Sequence, residues 1–360
     1  MELIYLPMAD LYLSLPLLLA IGLVGGIVST MLGIGSGIII TPSLMSIGIP
    51  SAVAISTQLN SSVGTNFSGF LTYQHERDVD ISLAWYLFIG GIAGAIVENL
   101  ALIKVLNKAG GFAVLKIIVF FVLVICSLVA LIQSQLPAKK RVEKGALMRR
   151  WMIYFPWHKI FLRSRVEMSI LVPIGVGFFT GMVTTSLGGG NSLLIATILT
   201  YLLARTSPVV SGTSLLAGFG INVVVTFISS MGHSLVDFVL LPVLAISSVF
   251  GSVIGGRLAY KFKSKNLKII GALVLMAIAY KMYVELKLAN WHSISNGQSY
   301  IEKFPNIIKK ITAMPDQHWM LPIAQFAHDY PIEYTIITLV SVTIFATVVQ
   351  FLINRIEWRN

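Results

Sequence analysis

Two glycine-rich runs carry the sharpest chemical signal in the chain. The first is Gly33-Ile34-Gly35-Ser36-Gly37, with Pro42 soon after; the second is Gly188-Gly189-Gly190-Asn191-Ser192. Each lies between a long and a short apolar segment. Glycine costs about 1 kcal/mol per residue in a helix interior, so several together predict a broken helix. Unwound backbone at membrane depth is tolerated only where protein buries it or where it lines a cavity. A helix that restarts at Ser36 or Asn191 presents free N–H groups and the positive end of its dipole, which suits an anion. Close packing of small residues explains Gly22 with Gly26 and Gly90 with Gly94. It explains less well three glycines in five residues, twice, at matched positions.

A second signal is polar. The segment 51–74 carries Ser56, Thr57, Gln58, Asn60, Ser61, Ser62, Thr65, Asn66 and Ser68, and 208–231 carries Ser211, Thr213, Ser214 and Asn222. Helix–helix hydrogen bonds explain some of them. The rest supply neutral donors for an oxyanion or a water-filled path. Neutral donors hold an anion without a fixed cation, so release stays fast. The candidate substrate site is therefore Gly35, Ser36, Gly37, Gly190, Asn191 and Ser192, completed by Thr57, Gln58, Asn60, Asn66, Thr213, Ser214 and Asn222. Glu98 stands inside an apolar segment, and an intramembrane carboxyl is a functional group by default. It can carry a coupled proton, or it can pair with Arg257.

Other constellations are weaker. His75-Glu76-Arg77-Asp78 reads as a solvated turn. His158 lies among basic and aromatic residues between Arg149 and Arg165, a composition suited to an anionic lipid surface. His292, His318 and His328, with Asp316 and Asp329, match no metal-ligand spacing, so no metal site is expected. The lone Cys126 allows no disulfide or zinc cluster within one chain. No GxxxxGK[ST] loop is present. No nucleophile with a base and no metal cluster is found. The chain is therefore not expected to be an enzyme or to need a cofactor.

These groups require a membrane-embedded helical frame. The chain is 56% hydrophobic and 11% charged, against about 25% charged for a soluble domain. Its mean hydropathy is +0.84. Long apolar runs of this kind read as membrane helices rather than barrel strands. The expected segments are 11–32, 36–48, 51–74, 81–104, 112–136, 169–187, 190–204, 208–231, 236–258, 266–286 and 333–354. The fold class is an all-α polytopic membrane protein with about 8–11 membrane helices, short broken ones included. Residues 1–10 lack a basic n-region and do not read as a cleaved signal peptide.

An internal repeat is visible. Gly22, Gly26, Thr30, Leu32, Gly33 and Gly35 match Gly177, Gly181, Thr185, Leu187, Gly188 and Gly190. Ser51, Val53, Thr57, Gly64 and Asn66 match Ser207, Val209, Thr213, Gly220 and Asn222, and Asp80 and Gly94 match Asp237 and Gly251. The offset drifts only from 155 to 157. The expected organisation is a membrane repeat at 1–136, a basic cytoplasmic linker at 137–167 and a second repeat at 168–286. An extracytoplasmic amphipathic segment at 287–332 and a C-terminal span in 333–360 follow. The net charge of +11 owes much to the nine basic residues within 137–165, which places that stretch in the cytoplasm. Nucleic acid is not an expected partner. Five segments per repeat put Arg257 and Lys261 on the same side, and an odd repeat is inverted in the membrane.

The motifs resemble the sulfite exporter TauE/SafE family of membrane permeases, the toluene-sulfonate uptake permeases. The resemblance rests on the first glycine-rich break with Pro42, then Gly48-Ile49-Pro50-Ser51-Ala52-Val53-Ala54 and Thr57-Gln58-Leu59-Asn60. In the second half it rests on Leu187-Gly188-Gly189-Gly190 and Gly212-Thr213-Ser214-Leu215, and it covers roughly 11–286. Ser36, Asn191 and Ser192 stand where the family commonly has glycine or another small residue, and the tail from 287 is unusual. The resemblance implies a permease for sulfite, a sulfonate or a related organosulfur anion. The expectation is a multi-pass transporter of the cell's inner (plasma) membrane with an alternating-access mechanism. Membrane lipids, H+ or Na+ and a further copy of the chain are its candidate partners. A passive anion channel and a membrane sensor or assembly protein are the alternatives.

Overall fold

The computed structural model describes residues 3–106, 156–164, 166–203, 208–231, 236–261 and 320–357, with isolated positions within 120–128 and 269–284. Cys126, Lys139 to Arg150, His292, His318 and most of 107–155 and 262–319 lie outside the described residues.

The chain opens with an antiparallel hairpin, β1 (Leu3–Leu6) and β2 (Leu11–Ser14). Helices α1 (Leu15–Leu32), α2 (Gly37–Ser46), α3 (Ser51–His75) and α4 (Ile81–Leu106) follow. A second hairpin, β3 (His158–Phe161) and β4 (Val166–Ser169), precedes α5 (Leu171–Gly181), α6 (Asn191–Leu202), α7 (Pro208–Met231) and α8 (Leu240–Lys261). The C-terminal pair is α9 (Met320–Asp329) and α10 (Pro331–Glu357). Among the described residues the architecture is all-α apart from the hairpins, and five helices are long and apolar enough to cross a membrane: α1, α4, α7, α8 and α10. Their outward faces stay apolar, as Val24, Trp85, Ile254 and Phe351 illustrate, because lipid rather than water is the solvent there. α3 is as long as these, 25 residues and about 37 Å, but too polar to stand in lipid. It is wrapped by α2, α7, α8 and α10, and its polar side chains face protein.

The hairpins depart from expectation. Residues 11–14 form a strand instead of the start of the first helix, and 158–161 pair with 166–169 as a hairpin where no strand was expected. A short apolar run has the same composition as a strand or as one turn of a buried helix, so periodicity alone does not separate them.

Two long-range arrangements recur at the repeat offset. Asp237 Oδ1 accepts from Val239 N (3.0 Å) and Leu240 N (2.9 Å) at the start of α8, and its Oδ2 accepts from Met8 N in the first hairpin (2.9 Å). Asp80 Oδ1 accepts from Leu83 N at the start of α4 (3.1 Å), and its Oδ2 accepts from Ser164 N (3.0 Å) and Ser164 Oγ (2.9 Å) in the second hairpin. Each aspartate thus caps a helix and anchors a hairpin. The backbone N–H of Asp237 donates to Thr57 Oγ1, and that of Asp80 to Thr213 Oγ1, both at 2.9 Å.

Each short helix turns the chain back. Leu44 and Met45 of α2 share one apolar cluster with Tyr5 and Leu6 of the first hairpin and with Leu18 near the start of α1. Leu199 of α6 and the following Leu203 share another with Phe161, Val166 and Met168 of the second hairpin. α1 with α2, and α5 with α6, are therefore helical hairpins folded at the glycine-rich breaks.

Small residues bring the long helices together. α1 lies along α8, where a Cβ on Gly26 would strike the Ser248 backbone and one on Gly255 the Ile27 carbonyl. α4 lies along α5 in the same manner, with Gly94 against the Phe178 carbonyl and Gly177 against that of Leu87. Gly175 of α5, by contrast, has nothing within 4 Å of its Cβ position. Gly94→Ala is expected to lower the detergent melting temperature by forcing α4 from α5. Gly175→Ala is expected to stabilise by about 0.5–1 kcal/mol through helix propensity alone. Thermal unfolding of the two purified variants beside the wild type checks this; equal shifts would refute the close-approach account.

Candidate functional site

The two breaks meet. Gly33 caps α1 in the left-handed region (φ 68°) and Gly35 follows with φ 75°. Gly188 and Gly189 take φ 57° and 85° in the second break, which occupies the turns 182–190. A Cβ on Gly37 would strike Gly188 O and Gly190 N, and one on Gly190 would lie 2.8 Å from Ile38 N. Thr41 of α2 packs on Gly188. The start of α2 thus rests against the start of α6, and two helix N-termini converge inside the protein.

α3 and α7 cover this junction with one row of side chains each. Gln58, Ser62 and Asn66 are four residues apart and share a face of α3. Gln58 Nε2 donates to Ser36 Oγ (2.9 Å), and Asn66 Nδ2 lies 3.5 Å from Ser192 Oγ. From α7, Asn222 Nδ2 donates to Ser62 Oγ (2.8 Å) and to the Gly189 carbonyl (3.1 Å). A Cβ on Gly35 would sit 3.2 Å from Ser192 Oγ and 3.4 Å from Asn66 Oδ1, so glycine leaves the backbone close to both.

These groups are buried and incompletely satisfied. Gln58, Asn66, Asn191 and Asn222 are each 0% exposed. Gln58 Oε1, Asn66 Oδ1, Asn222 Oδ1, Thr41 Oγ1 and both amide atoms of Asn191 have no hydrogen-bond partner among the described residues. Asn60 Oδ1, Ser68 Oγ, Thr185 Oγ1 and Thr226 Oγ1 are likewise unpartnered among the described residues, at other places. A buried polar atom without a partner costs about 1–3 kcal/mol, so such atoms gathered at one junction mark a place built to engage something else. An amide that turns about its last torsion exchanges carbonyl for N–H, so Gln58 and Asn66, which rest on the hydroxyls of Ser36 and Ser192, can present donors to an anion, whereas Asn222 is fixed by the Gly189 carbonyl that its Nδ2 must face.

The expected residues divide into three groups. Gly35, Ser36, Gly37, Gln58, Asn66, Gly190, Ser192 and Asn222 come together at the junction, and Asn191 lies in the chain between two of them. Ser214 supports it from outside by donating to the Gly33 carbonyl (2.8 Å). Thr57 and Thr213 are engaged elsewhere, holding the amides of Asp237 and Asp80, and Asn60 Nδ2 returns to the Ser56 carbonyl of its own helix (3.0 Å). The other polar row of α3 packs against α8: Thr65 Oγ1 lies 2.7 Å from Ser248 Oγ, and Ser252 Oγ donates to the Thr65 carbonyl (2.9 Å). Helix–helix hydrogen bonding explains that row, while the Gln58–Asn66 row faces the breaks. Thr41 and Ser62 were not among the expected site residues. Helical spacing could have found them, since each lies four residues from Gly37 or Asn66.

Glu98 takes a separate position behind the second break. Its Oε2 accepts from Thr185 N (2.7 Å), and its Oε1 accepts from Ser186 N (2.8 Å) and Ser186 Oγ (2.7 Å). It is 5% exposed. Arg257, its other expected partner, donates to Asn354 Oδ1 instead (3.4 Å). Among the described residues no group of three or more His, Cys, Asp and Glu is placed to hold a metal ion.

Comparison with known proteins fits this geometry. The sequence profile of the sulfite exporter TauE/SafE family matches residues 18–282, a stretch that includes both breaks. A probable membrane transporter protein of Bacillus subtilis (strain 168), YjnA, is 25% identical over 270 residues, 74% of this chain and 98% of its own length. A second from the same organism, YunE, is 25% identical over 288 residues, 76% of this chain and 98% of its own. No solved structure shows a significant match. Matched along most of its length, the chain belongs to the sulfite exporter TauE/SafE family, whose members are membrane transporters rather than enzymes.

Proposed function

We propose that the chain is a secondary transporter for a small anion of the sulfite, sulfonate or related organosulfur class, moved across the plasma membrane by alternating access. The observation that carries this reading is the set of buried amide and hydroxyl atoms without partners where the two breaks meet. An oxyanion there would accept hydrogen bonds from Gln58, Asn66, Asn191 and Ser192, with Asn222 holding the second break in place, and would sit at the positive ends of α2 and α6. None of these residues is a lysine or arginine, so binding would rest on donors that also release. The family name points to the sulfur oxyanions.

Full burial of the junction favours a carrier over an open pore: the anion reaches water only when the surrounding helices part. The paired arrangements at the repeat offset favour two inverted repeats, 1–136 and 168–286, the second with a hairpin that starts earlier, at His158. Asp237 and the first hairpin lie where α1 begins, and Asp80 and the second hairpin lie where α5 begins. With the basic residues inside, the first hairpin faces outward and the second faces the cytoplasm. Coupling to H+ would act through Glu98: a proton on that carboxyl weakens its hold on Thr185 and Ser186 and loosens the second break.

Purified protein in liposomes, offered labelled sulfite, taurine, sulfoacetate, thiosulfate and acetate, is expected to take up a sulfur oxyanion saturably. Asn191→Ala and Gln58→Ala should each lower that uptake by about tenfold or more, the loss expected when a hydrogen bond to a charged group is removed. Gly175→Ala should leave it intact. Absence of flux for every sulfur anion, with or without a pH or sodium gradient, would overturn the assignment. Glu98→Gln is expected to keep exchange of anion for anion and to lose accumulation driven by a pH gradient. Full gradient-driven accumulation in that variant would remove Glu98 from the coupling path.

A further inference from the structure

A cavity of about 270 Å³ opens where three helices end. His75 and Glu76 line it from the end of α3, Arg257 and Tyr260 from the last turns of α8, and Gln350 and Asn354 from the end of α10. The apolar stretches of α8 and α10 run to Lys261 and Arg355, so the cavity lies at the depth of lipid headgroups on one face of the membrane. It is smaller than a drug-sized cleft, in the range of a single headgroup.

A chain of hydrogen bonds fixes its walls. Thr72 Oγ1 donates to Gln350 Oε1 (3.3 Å), Gln350 Nε2 donates to Asn354 Oδ1 (3.3 Å), and an Arg257 Nη2 N–H reaches the same oxygen (3.4 Å). Thr72 and Gln350 are 5% and 6% exposed. The guanidinium is thereby held at the cavity by α10. A guanidinium fork matches the geometry of phosphate oxygens bidentately. The opposite charge is also present: Glu76, paired to His75 Nδ1 at 3.5 Å, keeps its side chain 55% exposed. Tyr260, 42% exposed, donates to Asp78 Oδ2 (3.0 Å) and places its ring at interfacial depth. One wall thus suits phosphate and another suits a cation. α10 lies outside residues 18–282, so a helix beyond the family match completes the cavity.

We propose that this cavity binds the headgroup of a zwitterionic, amine-bearing phospholipid, with the phosphate on Arg257 and Asn354 and the ammonium on Glu76. The bound lipid then clamps α10 to α3, the helix that carries Gln58 and Asn66. The proposal needs only that the three helix ends share a membrane face; it stands apart from the nature of the transported anion.

Thermal unfolding of the full-length protein in detergent tests it, with added phosphatidylethanolamine, phosphatidylglycerol, soluble phosphoethanolamine or inorganic phosphate. Phosphatidylethanolamine is expected to raise the melting temperature most and to bind about tenfold more tightly than phosphatidylglycerol. Arg257→Gln should abolish that shift. Glu76→Gln, a change at a half-exposed side chain, should leave the fold intact and remove the preference between the two lipids. Equal shifts with both lipids in the wild type, or an unchanged preference in Glu76→Gln, would overturn the proposal even if Arg257→Gln does not fold. An Arg257-dependent shift of the same size with inorganic phosphate would overturn it as well, by assigning the cavity to a soluble anion.

Discussion

A helix that stops inside a membrane leaves amides and carbonyls that lipid cannot satisfy. This protein stops two helices there and covers each break with the other. Gly37 lies against Gly188 and Gly190, and Ser214 and Asn222 reach the carbonyls of Gly33 and Gly189. The rest of the architecture follows from that cover. α3 and α7 must be central because they carry the amides that reach the breaks, and α3 can be so polar only because α2, α7, α8 and α10 enclose it. The other long apolar helices lie around them, and glycines bring the backbones of α1 and α8, and of α4 and α5, into close approach.

The ends of the structure are tied by a different device. Asp80 and Asp237 each satisfy helix-start amides and a hairpin amide, while their own N–H groups reach a threonine hydroxyl on α7 or α3. Thr57 sits in the first half and Asp237 in the second; Thr213 and Asp80 reverse the order. Each half thus holds the other at both faces.

Much of this was legible from the residues. Helix positions followed from apolar length and the breaks from glycine density, while Asp80 and Asp237 stood out only as matched positions, without the capping and anchoring that the structure gives them. The hairpins were not legible, because Leu3 to Ser14 continues the apolar character of the helix after it and local composition does not separate the two outcomes. Thr57 and Gln58 are neighbours with equally suitable chemistry, yet one holds a loop amide and the other faces Ser36. Only the roughly 100° turn between adjacent helix positions separates their roles, and which direction faces the junction is a tertiary fact. The unpartnered state of Asn191 is likewise a property of its surroundings rather than of its side chain.

The two breaks are alike in sequence but unlike in form. α1 runs helical to Leu32, whereas the matching residues of the second half, 182–187, are already turns, with Thr185 and Ser186 held by Glu98. One arm is stiff to its tip and the other is jointed. In the carrier proposed above, the two mouths would open at unequal kinetic cost. Half-saturation would then differ between the two sides of the membrane, while the final concentration ratio stays fixed by the gradients alone. Such a carrier is thermodynamically neutral yet kinetically rectifying.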